Sequence, residues 1–324
     1  MEEAVFSSTG FRIRAAQPSA AATRVACWAE KTAASFFCTL FPADCRICGS
    51  PLLRFSRLPV CENCLDAPRP LSGTLCGICG EACDFPAALD LATVRCRLCQ
   101  HAPPPFERAV AYGSYDGALR DLIHLLKFDQ VRPVAPVLGR MLADSVAALE
   151  LALPLGTIAV VPVPLHAQKQ SQRGFNQADV IARAALKQLS RRERGLQPAR
   201  FALCARALVR QRATGSQIGL TRHQRRQNLR GAFAVTDATL IANRDVLLVD
   251  DVYTTGATAS ECARVLRLAG AGRVWVATVA RTLKVFNLPA VPEAFSQEES
   301  QSQESCEQGF VSGHAFGHAA SGLE

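Results

Sequence analysis

The sequence predicts an α/β protein, a parallel-sheet core preceded by a small cysteine-rich region. Three observations carry that expectation. Four C-x2-C pairs crowd into residues 45–99. Beyond residue 105, short β-branched runs alternate with helical apolar patterns, the mark of a parallel α/β sheet. One apolar strand ends in two adjacent acids, and a loop of small residues then opens a helix. The 324 residues suit two units, and 49% hydrophobic with 20% charged residues is enough to bury a core. The longest apolar stretch, 147–165, holds Glu150, Pro154, Pro162 and Pro164, which excludes it as a membrane span.

The cysteine-rich region comes first. Cys45/Cys48 and Cys61/Cys64 combine as C-x2-C-x12-C-x2-C, and Cys76/Cys79 with Cys96/Cys99 as C-x2-C-x16-C-x2-C. Each pair offers two thiolates from one tight turn, and two pairs complete the S4 shell that zinc prefers. Gly49 and Gly80, directly after pairs, suit the positive-φ turn beneath such an ion. Full thiolate coordination leaves no position for water, so two structural zinc ions are expected, not catalytic ones. Disulfides would require an export signal, and the apolar stretch 32–41 lies deep in the chain behind Glu30 and Lys31. Iron–sulfur ligation is the remaining alternative for such thiolates. Cys27, Cys38, Cys83, Cys204, Cys262 and Cys306 have no pairing by spacing and read as idle or buried thiols. Reduced cysteines place the chain in the cytoplasm.

A Pro103-Pro104-Pro105 hinge then opens the core. Residues 108–115 alternate like a strand, and 117–128 carry Leu119, Leu122, Ile123 and Leu126 at helical spacing. Residues 136–151 read as a second helix. The β-branched run 157–161 reads as a strand buried on both faces, and 177–189 as a helix with Ile181, Ala185 and Leu189 on one side. The most informative stretch is 246–258, VLLVDDVYTTGAT. Four apolar residues deliver Asp250 and Asp251 to a strand's carboxyl end, and a helix is expected over 260–268. The loop between aims backbone N–H groups and the positive end of the helix dipole at an anion, with threonine hydroxyls as further donors. Gly256 permits close approach. Adjacent acids repel phosphate but suit ribose hydroxyls or a divalent cation.

The net charge of +8 is unevenly spread. Residues 165–232 hold 15 Lys/Arg against 2 Asp/Glu, a local +13, while 283–324 hold 1 against 6. A segment that basic faces a polyanion or, in the plainer reading, is a solvated helix face.

The block 246–258 resembles the phosphoribosyl-pyrophosphate motif of type I phosphoribosyltransferases. With DLIHLLKF (121–128), VPVPLHAQKQSQRGFNQ (161–177), QIGLTRHQRRQNLRGAF (217–233) and the upstream knuckles, the chain is similar to the ComF family. These are phosphoribosyltransferase-like proteins linked to DNA uptake and natural competence. The resemblance spans about residues 41–281. It implies a double zinc ribbon over 41–102 and a type I phosphoribosyltransferase-like domain over 106–282. Residues 1–40 read as a largely disordered extension with a short helix, and 283–324 as a disordered acidic tail.

Carried over residue by residue, Asp250 and Asp251 would hold ribose hydroxyls, and Thr254, Thr255, Gly256, Ala257 and Thr258 the 5′-phosphate. The turn after strand 157–161 would bind pyrophosphate, with Lys169 and Arg173 as charged contacts and Mg2+ accompanying the ligand. Residues 206–230 correspond to the mobile loop that closes over such sites. Its seven arginines exceed what one pyrophosphate can use, which makes Arg222, Arg225, Arg226 and Arg230 candidates for a nucleic-acid backbone. Aromatics are scarce there, so base stacking is not evident. His124 and His166 read as structural, and no general base or acceptor is marked.

Three functions follow. One is a competence factor that binds phosphoribosyl pyrophosphate and single-stranded DNA beside a helicase or translocase, in the cytoplasm or at the inner face of the membrane. The second is an active phosphoribosyltransferase with an unidentified small nucleophile. The third is a non-catalytic sensor of phosphoribosyl pyrophosphate or a nucleotide.

Overall fold

The structure is a computed structural model, and it describes residues 43–52, 56–83, 94–149, 152–192, 200–214 and 221–283, the side chain of Arg222 excepted. The expected N-terminal extension and acidic tail lie outside the described residues, as do Cys27, Cys38 and Cys306.

Five strands form one parallel sheet: β1 (Arg108–Ser114), β2 (Ile158–Pro162), β3 (Phe201–Leu203), β6 (Val246–Tyr253) and β7 (Val274–Arg281), in the order β1-β7-β6-β2-β3. A separate antiparallel ribbon pairs β4 (Leu208–Arg210) with β5 (Phe233–Val235). Strands β2 and β7 are buried at every residue, as parallel strands covered on both faces must be. On one face lie α3 (Gly117–Lys127), α4 (Ala135–Ala147) and α6 (Gln177–Arg192), whose apolar stripes share a core with Leu247, Val249 and Trp275. The other face is covered by α8 (Ala257–Leu268) and the β4–β5 ribbon around Leu248, Val274 and Val276. Two short helices, α1 (Glu62–Asp66) and α2 (Arg97–His101), begin within the second knuckle of each cysteine set and carry its second cysteine, Cys64 or Cys99. Between β2 and α6 sits α5 (Ala167–Arg173), and α7 (Arg222–Leu229) precedes β5. Among the described residues, no helix is long and apolar enough to cross a membrane.

The cysteine-rich region does not stand apart from the sheet. Cys45, Val60 and Cys64 join the core on the α3–α4 side, whereas Cys76, Cys79 and Cys99 join the core under α8. Main-chain hydrogen bonds run from Ala109 N–H to the Ile78 carbonyl and from Leu71 N–H to the Tyr112 carbonyl. The region therefore lies against β1, an outer strand of the sheet, and covers polar backbone that would otherwise be open to pairing.

Several elements differ from the sequence expectation in one way each. The helix expected from 260 begins at Ala257, because Gly256 takes φ 75° and starts the turn there. The strand ending at Val249 runs on to Tyr253, so both acids are strand residues. The expected pyrophosphate turn is followed at once by α5, capped by His166 Nδ1, which accepts from the Gln168 N–H at 3.4 Å. Lys169 and Arg173 thus ride on a helix and not on a loop.

Candidate functional site

The two cysteine sets gather as their spacing requires. Cys45, Cys48, Cys61 and Cys64 form one group and Cys76, Cys79, Cys96 and Cys99 the other, with the four sulfurs of each within 4.8 Å of one another. Cys48 Sγ and Cys61 Sγ are 3.6 Å apart, and Cys79 Sγ and Cys96 Sγ 3.7 Å. A tetrahedron with Zn–S bonds of about 2.3 Å has edges of about 3.8 Å, so the donor set fits one ion per group. These distances are too long for disulfides, and the cysteines are free. Gly49 and Gly80 adopt φ 74° and 70°, the left-handed turn that lets a knuckle fold under its ion. Cys61 N–H also donates to Cys45 Sγ at 3.3 Å, which stabilises a thiolate.

The second group is tied to the end of the sheet by a buried ion pair. Arg281, at the carboxyl end of β7, is 2% exposed, and its Nη2 lies 2.6 Å from Glu81 Oε2. Its Nη1 donates to the carbonyl of Cys79, one of the candidate metal ligands. The guanidinium also sits over the ring of Tyr253, 4.9 Å from its centroid. That ring meets Phe106 edge-on at 6.4 Å. The Tyr253 hydroxyl in turn stands where a Cβ on Gly256 would go. Glycine is required there twice over, for its φ and for its bareness.

Gly256 heads the loop at which the chemistry converges. No side chain caps α8, so the N–H groups of its first turn, Ala257 and Thr258 among them, keep their orphan status and face outward with the positive helix end. Thr254 is exposed, and the Thr255 hydroxyl is buried without a hydrogen-bond partner. A buried hydroxyl beside a helix N-terminus whose N–H groups have no side-chain cap is a donor set of the kind that suits an anion.

The two-residue period of β6 splits the neighbouring acids. Asp251 is buried, and Lys127 Nζ at the end of α3 lies 2.8 Å from its Oδ2, an ion pair off the hydrogen-bond axis. Asp250 turns toward Arg210 and Cys262. Burial and then the Asp251 charge push the Asp250 carboxyl up to about 7, against the pull of Lys127, the Asp251 N–H and Arg210. A carboxyl held half-protonated near neutrality would yield its proton to a divalent cation or accept a hydroxyl. The two carboxylates therefore offer their oxygens in different directions, and Lys127 already pairs with that of Asp251.

Opposite the acids stands a group of cations. Partial burial and then the charges of Arg210 and Arg173 lower the Lys169 amine below its usual value. Arg210 is lowered by burial as well, with its plane 5.4 Å above the Phe233 centroid. Among the described residues no carboxylate forms an ion pair with Lys169, Arg173 or Arg210. The β4 strand reaches them through a parallel bridge between His166 and Arg210. Apart from the charge of Asp250 near Arg210, these like charges raise the local potential and favour an anion.

From α7, Arg225 reaches Thr254 Oγ1 at 3.4 Å. Arg226 lines a crevice of about 20 Å3 with Tyr253, Thr255 and Cys99, room for one water at most. Arg230 is exposed. Arg222 is the first residue of α7, whose start is fixed by a capping box of Thr221 and Gln224.

No family model matches the chain. DNA utilization protein YhgH of Escherichia coli (strain K12) is 33% identical over 247 residues, covering 75% of this chain and 98% of that protein. Competence protein F of Haemophilus influenzae is 31% identical over 234 residues, 71% of this chain and 93% of its own. The chain belongs to the ComF family. A more distant ComF-family relative, competence protein ComFC of Bacillus subtilis, is 24% identical over 208 residues, 64% of this chain and 77% of its own.

In this ComF-family fold, four residues stand at the site that sequence reasoning gave no role. Lys127 had a readable signal: Leu119, Ile123 and Lys127 follow at i, i+4 and i+8, which places a lysine on the buried stripe of α3. Arg210 was one of seven arginines, distinguishable only once Phe233 and Lys169 are seen beside it. Glu81 and Arg281 lie 200 positions apart, and nothing local marks them.

Proposed function

We propose that this ComF-family protein serves DNA utilisation and uptake of the competence type, as a protein that binds phosphoribosyl pyrophosphate with Mg2+ and contacts single-stranded DNA. One observation carries the ligand assignment. At the carboxyl end of the central strand stand two acids and an uncapped Gly256-headed helix, and Arg210, which feels the charge of Asp250, lies in electrostatic reach of Lys169, as does Arg173. Ribose hydroxyls suit the acids, a 5′-phosphate the N–H groups of Thr254 to Thr258, and a pyrophosphate the cations. Mg2+ accompanying the ligand would neutralise pyrophosphate oxygens, with Asp250, the acid that Lys127 does not engage, as its candidate protein ligand. The DNA assignment is supported by the basic segment and by the relatives' names. Reduced thiolate ligands fit the cytoplasm, where a helicase or translocase partner of the uptake machinery would meet the protein at the membrane's inner face.

The test is a titration of a fluorescent single strand, with and without phosphoribosyl pyrophosphate and Mg2+. Affinity is expected to fall steeply with salt, and the slope to flatten when Arg225, Arg226 and Arg230 become alanine. No binding at low salt would overturn the DNA assignment. Calorimetry of phosphoribosyl pyrophosphate should show binding that D250N/D251N abolishes.

The cations opposite the acids also favour a second reading, transfer of ribose 5-phosphate to an unidentified small nucleophile. They would stabilise the departing pyrophosphate as the anomeric carbon gains positive charge. Pyrophosphate release with any acceptor, lost in K169A and R210A, would support it. Binding without release across an acceptor panel would leave a sensor.

A further inference from the structure

Among the described residues, Phe128 is the only phenylalanine, tyrosine or tryptophan left exposed, at 63%. It is not a loose end. Phe128 caps α3, its N–H bonded to the His124 carbonyl at 2.8 Å. The chain then turns through Gln130 at φ 55°, a left-handed conformation uncommon outside glycine. The ring meets the His124 imidazole edge-on at 5.2 Å, and that imidazole is fixed by the Tyr115 hydroxyl at 2.9 Å. The Arg173 guanidinium stands 5.4 Å from the ring centroid. Behind them Arg132 lies 4.8 Å from the Phe175 centroid, stitching the same two segments together. The preceding residue is Lys127, the partner of Asp251. An exposed π-surface held by these contacts therefore sits one residue from Lys127, the partner of Asp251, and against one of the three gathered cations.

The surroundings select the ligand. An apolar protein partner would want a contiguous apolar patch, but the neighbours of Phe128 in the chain are Lys127, Asp129 and Gln130. A flat aromatic group carrying negative charge satisfies both the ring and the cations. We propose that Phe128 is a stacking platform for a nucleobase, presented by single-stranded DNA or by a free nucleotide whose phosphate meets Arg173 and Lys169. The inference deepens the nucleic-acid part of the function proposed above and rests on it. Stacking on one aromatic also supplies what the arginine-rich segment lacks, a sequence-tolerant grip on the bases.

The test uses the full-length, zinc-loaded protein and its F128A and F128W variants. The probes are an oligothymidylate of about twelve nucleotides, an abasic strand with the same number of phosphates, and thymidine monophosphate. F128A is expected to weaken the oligothymidylate about tenfold, to leave the abasic strand within twofold, and to keep the wild-type urea midpoint. F128W is expected to restore binding. Equal loss on both strands, or none on either, would overturn the stacking role while the DNA assignment stands. Failure of the wild type to bind either strand would overturn the DNA assignment instead. Loss confined to the strand assigns the base to DNA, and an equal loss for the monophosphate assigns it to a free nucleotide; both support the platform.

Discussion

The Glu81–Arg281 pair is the contact whose loss the fold should feel most. Substituting R281M removes a guanidinium 2.6 Å from a carboxylate, with the two side chains only 2% and 7% exposed. Glu81 would be left charged and buried, a penalty of about 3–5 kcal/mol. Part of that falls on the Cys79 carbonyl, which loses its charged donor. Against a total stability of about 5–15 kcal/mol, the variant should unfold at a much lower urea concentration. E81L restores an uncharged, apolar partner, so R281M/E81L should recover most of the loss, because the buried carboxylate is what makes the single change costly. The assay is urea unfolding of the zinc-loaded protein, followed by circular dichroism and by tryptophan fluorescence, in a double-mutant cycle. A coupling energy below about 1 kcal/mol, or R281M/E81L no more stable than R281M, would refute the reasoning.

Three further outcomes are expected. Metal analysis should return two zinc ions per chain and one in C99S, and chelation should lower the unfolding midpoint, since both cysteine groups belong to core clusters of the sheet. G256A should lower the thermal midpoint by an amount corresponding to about 1–3 kcal/mol and weaken phosphoribosyl-pyrophosphate binding, because its methyl group would collide with the Tyr253 hydroxyl at a positive φ. Asp250 holds a proton up to about 7 when folded, whereas an unfolded aspartate loses it near pH 3.9, at about its ordinary value. Between those values the folded chain binds the extra proton, so stability without ligand should decline as pH rises through the window. D250N should flatten that decline and be more stable than wild type at pH 8; an unchanged urea-midpoint profile would show that Asp250 ionises freely in the fold.

What could be read from the sequence was whatever has a short period. The knuckles announce their own pairing, because C-x2-C is a local geometry and only four thiolates satisfy one ion. The apolar stripe of α3, the buried run of β2 and the acids at the end of β6 are local too. Strands β3, β4 and β5 have three residues each, too few to show alternation, and were not expected. Strand β7 was passed over although all eight of its residues are buried. Unlike the run of β2, VWVATVAR carries a threonine and ends in an arginine, whose burial depends on Glu81 far away in the chain. The site was half legible. Asp250, Asp251 and the Gly256 loop follow one another along the chain, but the Lys127–Asp251 pair and the approach of Arg210 to Lys169 depend on how helices land on the sheet. The exposure of Phe128 was not legible either, since it is decided by the turn at Gln130 and not by its own residue type.

The strand order has a consequence for how the molecule is made. β1 pairs with β7 and with no other strand of the sheet, so the first strand to leave the ribosome waits for the last. While more than 150 residues are being added, β1 and the cysteine-rich segment lying along it have no sheet to join. At about 5–20 residues per second that interval lasts on the order of ten seconds or more. Contacts of such long sequence separation form slowly in any case. The thiolates can take up their ions within this interval, because each knuckle pair closes locally. The cysteine-rich region then waits for β7 to arrive, and a nascent chain stopped before residue 274 lacks the strand that β1 pairs with.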